Sequence, residues 1–504
     1  MNTDDTTLPA LFSGARERAI LLLLCCLAAV HVFIFSAAFP LINNVDEQAH
    51  FDLVVKYSHG NIPCRQEPIC REAMEYIVLY GSQEFIWPSE TFPGGKYPPP
   101  PWTQPMGKIA PILLAREQTW QGLNHESSQP PLYYTLAGAW WRLGGWLGWE
   151  GGQRMYWLRF LNIPLVTVLI WLGHLAATRV FPENRFVKLG VPAIIAFMPP
   201  ASFYSIQNDT LSALCFGAAF VCLINFFHAE RPGTGLGVVT GLTLAAAFLT
   251  KIVNVPLLAV AVVMVSIKIL NLIKTKLLRG SLPSVLALML CAGIPAGLWM
   301  VWCKYNFGDF TGSKLNIKSG GVVARPFAEW WHHPIFTLQG LWTFVSDSLS
   351  NFWQGDVLWH NQPMTFSSVH AIYAVLSICA VVLALAKLCS RAAGLTGIQR
   401  QALWFSLACC GAVIVFWGGQ SVIYDVTNCP NPTPKYPYIA NGRYLLGAVI
   451  PFVLLFVFSM DRAAGRLGTP AKFLAVGGMI VFMLVSEIAA DWPVFSSQYN
   501  WFHM

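Results

Sequence analysis

The stretch Asn43-Asn44-Val45-Asp46-Glu47-Gln48-Ala49-His50-Phe51 puts two adjacent carboxylates directly after a long apolar run, where a chain leaving a bilayer would emerge. Charges at such a boundary are costly unless they bind, titrate or pair. On a helix, Asp46 and His50 are four apart and share a face, while Glu47 points about 100° away. One carboxylate could then take a proton while the other positions a partner. Asp46 and Glu47 are therefore the candidate catalytic residues, with His50 as a candidate binding residue on the Asp46 face. The plainer alternative is a helix cap with solvated acids, because Asp favours N-cap positions.

His125 and Glu126 stand just before Pro130-Pro131-Leu132-Tyr133-Tyr134. The prolines suit the first turn of a helix, where a missing amide proton costs nothing. His125 and Glu126 then either bind a sugar hydroxyl or cap that helix. Asp209, the one acid in Ser205-Ile206-Gln207-Asn208-Asp209-Thr210, has the same two readings. Cations recur at comparable places: Arg159 heads an apolar run, Lys251 interrupts another, and Arg443 follows Gly442 and precedes Tyr444. Snorkelling explains some interfacial Lys and Arg without a ligand. A glycine before Arg443 permits close backbone approach, and the guanidinium offers a planar fork suited to phosphate oxygens. Cations from separate spans at one height are what a lipid-linked phosphate would need. Trp353 and Asp356 add an aromatic face beside a carboxylate, which suits a carbohydrate, although Trp also belts any membrane interface. Cys64 and Cys70 lie in a short Pro-containing segment and are candidates for a disulfide in an oxidising compartment. A metal pair is the rival there, but no His or second Cys pair is close in sequence.

Such residues need elements to hold them, and the composition says these are membrane helices. Of 504 residues 55% are hydrophobic and 11% charged, too little charge for a water-facing surface of that size. Apolar windows of about 20 residues recur along the chain, which excludes a soluble enzyme with a single anchor. They do not alternate, which excludes a β-barrel. The 32 Lys and Arg sit mostly in short loops, so the net charge of +7 is a topology signal and not a nucleic-acid footprint.

Spans are expected near 19–41, 157–179, 187–204, 210–228, 235–250, 253–273, 283–303, 367–388, 402–423, 444–460 and 471–490. Pro130 to Trp149 is apolar enough to cross but carries Arg142. If it does not cross, the basic clusters Arg16/Arg18, Arg179/Arg185/Lys188, Lys268/Lys274/Lys276/Arg279, Lys387/Arg391/Arg400 and Arg462/Arg466/Lys472 all fall on one side. The positive-inside rule then predicts an all-α polytopic membrane protein of about 11 transmembrane helices (roughly 10–13), with interfacial helices in a large first extracytoplasmic loop. The expected segments are a cytoplasmic terminus 1–18, a first span 19–41, an outer loop 42–156, spans over 157–303, a second outer loop 304–366, spans over 367–490 and an outer tail 491–504.

Taken together, Asp46-Glu47-x-x-His50-Phe51, Pro130-Pro131-Leu132-Tyr133-Tyr134, Asn208-Asp209, Thr250-Lys251, Phe352-Trp353-x-Gly355 and Gly442-Arg443-Tyr444-Leu445 resemble the GT-C superfamily. Those are multi-span glycosyltransferases using polyprenyl-phosphate sugars, such as the protein O-mannosyltransferases and the lipid A aminoarabinose transferases. The likeness runs in order over about residues 15–460 and is strongest to a bacterial branch of largely uncharacterised function. It implies that Asp46 contacts the acceptor as general base, with Glu47 as its adjacent acid. It also implies that Lys251, Arg443 and Tyr444 lie near the donor phosphate, and more loosely Arg159. The chain departs from the oligosaccharyltransferase branch: it has no Trp-Trp-Asp-Tyr-Gly motif, and no soluble carboxyl-terminal domain is expected. That disfavours a tightly bound divalent metal, and no other cofactor is expected.

The expected reaction is inverting transfer of a sugar from a polyprenyl-phosphate donor to an extracytoplasmic glycan, lipid or protein. His50, His125, Glu126, Asp209, Trp353 and Asp356 would contact sugar or acceptor, on the outer side of a bacterial inner membrane. The rival enzyme is a surface-polysaccharide polymerase or ligase using lipid-diphosphate glycans. The rival of another class is a lipid or sugar transporter or flippase, which calls for ionisable residues deep in several spans.

Overall fold

Long apolar runs without polar faces make helices that are buried or lipid-covered on every side, and the chain is built almost wholly from these. The computed structural model describes residues 14–85, 87–119, 122–314, 317, 321–390, 394–427, 432–465 and 468–504. Arg391, Arg466 and residues 1–13 of the expected cytoplasmic terminus lie outside the described residues. Helix α1 is Ala15–Ala38, followed by α2 (Glu47–Ser58), α3 (Arg71–Tyr80), α4 (Met106–Thr119), α5 (Pro131–Trp146), α6 (Gly151–Arg159) and α7 (Asn162–Val180). Next come α8 (Arg185–Ala196), α9 (Asp209–His228), α10 (Thr234–Thr250), α11 (Val255–Lys274) and α12 (Leu278–Phe307). The last are α13 (Leu338–Gln354), α14 (Ser367–Cys389), α15 (Gly397–Ile423), α16 (Val449–Ala463) and α17 (Thr469–Phe495). Strand content among the described residues is two antiparallel pairs, 323–324 with 424–425 and 358–359 with 362–363.

The protein is an all-α, multi-pass membrane protein. Among the described residues, nine helical segments are long and apolar enough to cross a bilayer. Two other expected crossings are shorter. The run at 187–204 forms only the 12-residue α8, because Pro199 and Pro200 end it, and the run at 235–250 forms the 17-residue α10. α16 is the centre of the bundle, with twelve of its residues buried. α12 lies at the rim, where Leu286, Met289, Leu290, Ile294 and Leu298 are exposed. It packs on α10 through small residues: a Cβ at Gly237 would sit 2.1 Å from the Ser284 carbonyl oxygen and one at Gly241 2.5 Å from that of Leu288.

As expected, the first loop holds helices, α2 to α5, joined between α3 and α4 by 25 residues of short turns and irregular chain. Pro130 to Trp149 becomes the 16-residue α5, with Tyr133, Tyr134 and Trp141 buried and Trp146 exposed. α7 starts just after Arg159 and α16 shortly after Arg443, so both helices run from the end of the bundle that holds these residues to its opposite end.

Candidate active site

Asp46 sits in the tight turn between α1 and α2, with φ of +63° in the left-handed region. Non-glycine residues held there cost about 1 kcal/mol or more and cluster at functional sites. Its carbonyl takes the first helical amides, Ala49 N at 2.9 Å and His50 N at 3.0 Å, while its side chain makes no cap bond. The carboxylate is free to face the site: Arg443 Nη2 donates to Oδ2 at 2.7 Å, and His125 Nε2 lies 3.1 Å from Oδ1.

His125 and Glu126 are held by Asn124. Its side-chain Oδ1 accepts from the Glu126 amide at 2.8 Å, and its side-chain Nδ2 donates to Asp52 at 2.6 Å and to the Ala49 carbonyl at 2.9 Å. His125 Nε2 is 3.5 Å from Glu126 Oε1, and Glu126 Oε2 is buried without a partner. On the far side Lys251 pairs with Asp209, whose Oδ2 is likewise buried and unpartnered. Lys251 and Arg443 both sit over the Tyr444 ring, at 5.6 and 5.4 Å, and Tyr444 stacks on Trp417 at 4.2 Å. Gly442 lets this strand of chain press against α13: a Cβ there would fall 1.9 Å from the Asn351 carbonyl carbon. Asn441 donates to Asp356 Oδ2 at 3.3 Å, beside the same turn.

Burial alone would push the Asp46 carboxyl up, but the Arg443 guanidinium and His125 outweigh it and hold it well below the usual carboxylate range. His125 is raised, chiefly by its hydrogen bond to Asp46. Burial raises Glu126, and burial raises Asp356 to about 6 although Arg443 pulls it the other way. Burial lowers Lys251 against the attraction of Asp209. The arrangement thus holds an ionised carboxylate, cations and a carboxyl with strong affinity for its proton within one cluster. Ligand atoms of Asp46, His125 and Glu126 lie within 4.8 Å of one another, a mixed imidazole and carboxylate donor set of the kind that holds a divalent transition-metal ion.

Several expected site residues are used otherwise. Glu47 and Arg159 face each other in the protein interior, at 2.8 and 2.7 Å, with exposures of 0% and 1%. Glu47 also accepts from the Ile206 and Asn43 amides, and Arg159 donates to the carbonyls of Ser36, Phe39 and Pro40. Every guanidinium N–H is spent, so Arg159 has none for a phosphate and Glu47 is no free acid. His50 stays within the electrostatic reach of Asp46 but spends its Nδ1 on Tyr134, 2.6 Å from the hydroxyl, and burial pushes it down to about 3. Trp353 is fully buried between Tyr373, Phe452 and Phe456, donating to Ser377 at 2.9 Å, and offers no face to a sugar. Cys64 and Cys70 are free thiols. The Cys70 amide is anchored on Asp52 at 2.7 Å, and its side chain packs on the core while Cys64 is exposed. Asn124, Asn441 and Trp417 were not singled out from sequence. Asn441 and Trp417 act through residues far along the chain, on Asp356 and Tyr444, whereas Asn124 also has a local signal, as an Asn capping the turn that carries His125 and Glu126.

No curated protein matches the chain. Among solved structures it is similar to the archaeal oligosaccharyltransferase AglB from Archaeoglobus fulgidus, in complex with an inhibitory peptide and a dolichol-phosphate. That match has 12% identity and a TM-score of 0.42, over 96% of this chain and 56% of that one, so the chain spans about half the length of AglB. It is also similar to ArnT from Cupriavidus metallidurans bound to undecaprenyl phosphate, at 12% identity and a TM-score of 0.35, over 90% of this chain and 80% of that one. At those scores neither likeness establishes a shared fold. The family of predicted membrane proteins DUF2142 matches residues 29–427, well over half of the sequence, and this chain belongs to that family.

Proposed function

We propose that this protein is a membrane glycosyltransferase that moves a sugar from a polyprenyl-phosphate donor to an extracytoplasmic acceptor, inverting the anomeric carbon. The observation that carries this reading is the meeting of Asp46 with Arg443, 397 residues later, beside buried atoms without partners at Glu126 Oε2, Asp209 Oδ2 and Arg443 Nε. Buried polar atoms of native proteins are nearly always bonded, so such a group points to a polar ligand. In the proposed step the acceptor oxygen bonds to the anomeric carbon as the bond from that carbon to the phosphate oxygen breaks. The acceptor proton passes to Asp46, and polyprenyl phosphate leaves with its charge on Arg443 and Lys251. Glu126, His125, Asp209 and Asp356 would bind sugar or acceptor hydroxyls. An apolar cavity of about 260 Å³ lined by Phe352, Leu445, Ala448 and Phe452 starts two residues beyond Arg443 and suits an isoprenoid chain.

Mass spectrometry of surface glycans with and without the protein is expected to reveal one missing sugar. Purified protein should transfer it from the monosaccharide-phosphate lipid. Transfer only from an oligosaccharide-diphosphate lipid, or movement of lipid without transfer, would reject the proposal.

A further inference from the structure

At the other end of the bundle, α7 and α16 finish and α8, α15 and α17 begin around one open cavity of about 640 Å³. The 19 residues of α7 put it roughly 28 Å from Arg159 and hence outside the candidate active site. Four cations line it: Arg179, Arg185, Arg462 and Lys472. Lys472 is spent on Asp461 at 2.6 Å, whose other oxygen accepts from Asn184 at 3.0 Å. Among the described residues the three arginines have no carboxylate partner, and Arg462 Nε is buried with nothing to donate to. Glu183, exposed on the rim, is the one other acid of the lining. Three forks without a carboxylate, Arg462 lying over the Phe458 ring at 5.3 Å, line the cavity where three helices also present their amino-terminal ends, which are electropositive.

Arg179 and Arg462 lie in the last turns of α7 and α16, where a cation is favourable even without a ligand. That alone does not account for a shared cavity, nor for Arg185, which opens α8 and so stands at the wrong helix end for such an interaction. Ile398, 41% exposed, gives the rim an apolar edge beside the cations. Guanidinium forks, helix amino termini and an apolar edge together match a phosphate that carries acyl chains.

We propose that this cavity binds a phosphate-bearing anion, with the phosphodiester headgroup of an anionic phospholipid as its source. The test uses the full-length protein in nanodiscs, with thermal unfolding followed by Trp fluorescence. Cardiolipin or phosphatidylglycerol is titrated against a phosphatidylcholine background, and inorganic phosphate is titrated separately.

The anionic lipids are expected to raise the melting temperature, and Arg179→Gln with Arg462→Gln to raise the half-saturating lipid fraction on the order of 10-fold. Lys274→Gln, an exposed cation at the same end but outside the cavity, should leave it unchanged. An equal loss in Lys274→Gln would mean diffuse surface attraction and overturn the proposal, as would no lipid effect. A shift with inorganic phosphate alone supports the phosphate site and moves its source to a soluble anion. If the double variant does not fold, native mass spectrometry of the unaltered protein decides. Retained anionic lipid supports the site, and its absence together with no phosphate adduct overturns it.

Discussion

Held between a guanidinium and an imidazole, the Asp46 carboxylate is a poor base as it stands. A general base works best with its pKa near the working pH, and Arg443 keeps Asp46 far below that. In the proposed reaction the donor phosphate draws Arg443 away, so the carboxylate regains proton affinity when the acceptor is aligned. Asp46→Asn is expected to lower transfer by roughly 10²- to 10⁴-fold with protein yield unchanged. The assay is turnover in purified membranes with a defined donor, and unchanged turnover removes Asp46 from this role. Asp356 gives a prediction in pH. Its folded pKa of about 6 lies above the ordinary 3.8, so the folded state keeps a proton that the unfolded state has lost. The stability tied to that proton is full below about pH 4 and is lost as pH rises through about 6. Asp356→Asn keeps an acceptor for Asn441 and cannot ionise. It should melt higher than the parent at pH 8, and the two should converge at pH 4; parallel curves at all pH values would contradict this.

At the scale of elements, Glu47 and Arg159 form a strut that joins the end of α1, the start of α2 and the end of α6. Removing one partner of such a buried pair costs about 3–5 kcal/mol, because the other charge is left uncompensated. Glu47→Gln should therefore lose thermal stability and yield while turnover per folded molecule stays near normal. A collapse of turnover at full stability would assign Glu47 to the chemistry instead. Gly442→Ala should abolish properly folded protein or displace Arg443, since its Cβ has no room against Asn351, and size-exclusion profiles with donor binding would read this out. The spans are legible in sequence because apolar length is a local property. The division of labour between Asp46 and Glu47 is not. They are neighbours, and a backbone turn into the left-handed region sends one carboxylate to Arg443 and the other to Arg159. Trp353 misleads for a related reason, since an aromatic beside Gly355 looks the same in sequence whether it faces a sugar or Tyr373 and Phe456.

For the whole molecule, the proposed sidedness, with Asp46 outside and the arginine-lined cavity inside, rests on charge bias. Single cysteines settle it: in a cysteine-free background on intact cells, Lys96→Cys should react with a membrane-impermeant maleimide and Lys274→Cys should not. The reverse pattern would invert the topology. The strut and the site also differ in how much chain must exist before they form. Glu47 waits 112 residues for Arg159, and Asp46 waits 397 for Arg443. At about 5–20 residues per second of synthesis, that is roughly 6–22 s against 20–80 s. A ribosome that stops before residue 443 therefore releases a chain that holds both members of the strut while Asp46 still lacks its guanidinium partner. Such fragments can sit in the membrane, yet a split or shortened gene product cannot assemble the cluster unless the missing half is supplied in trans.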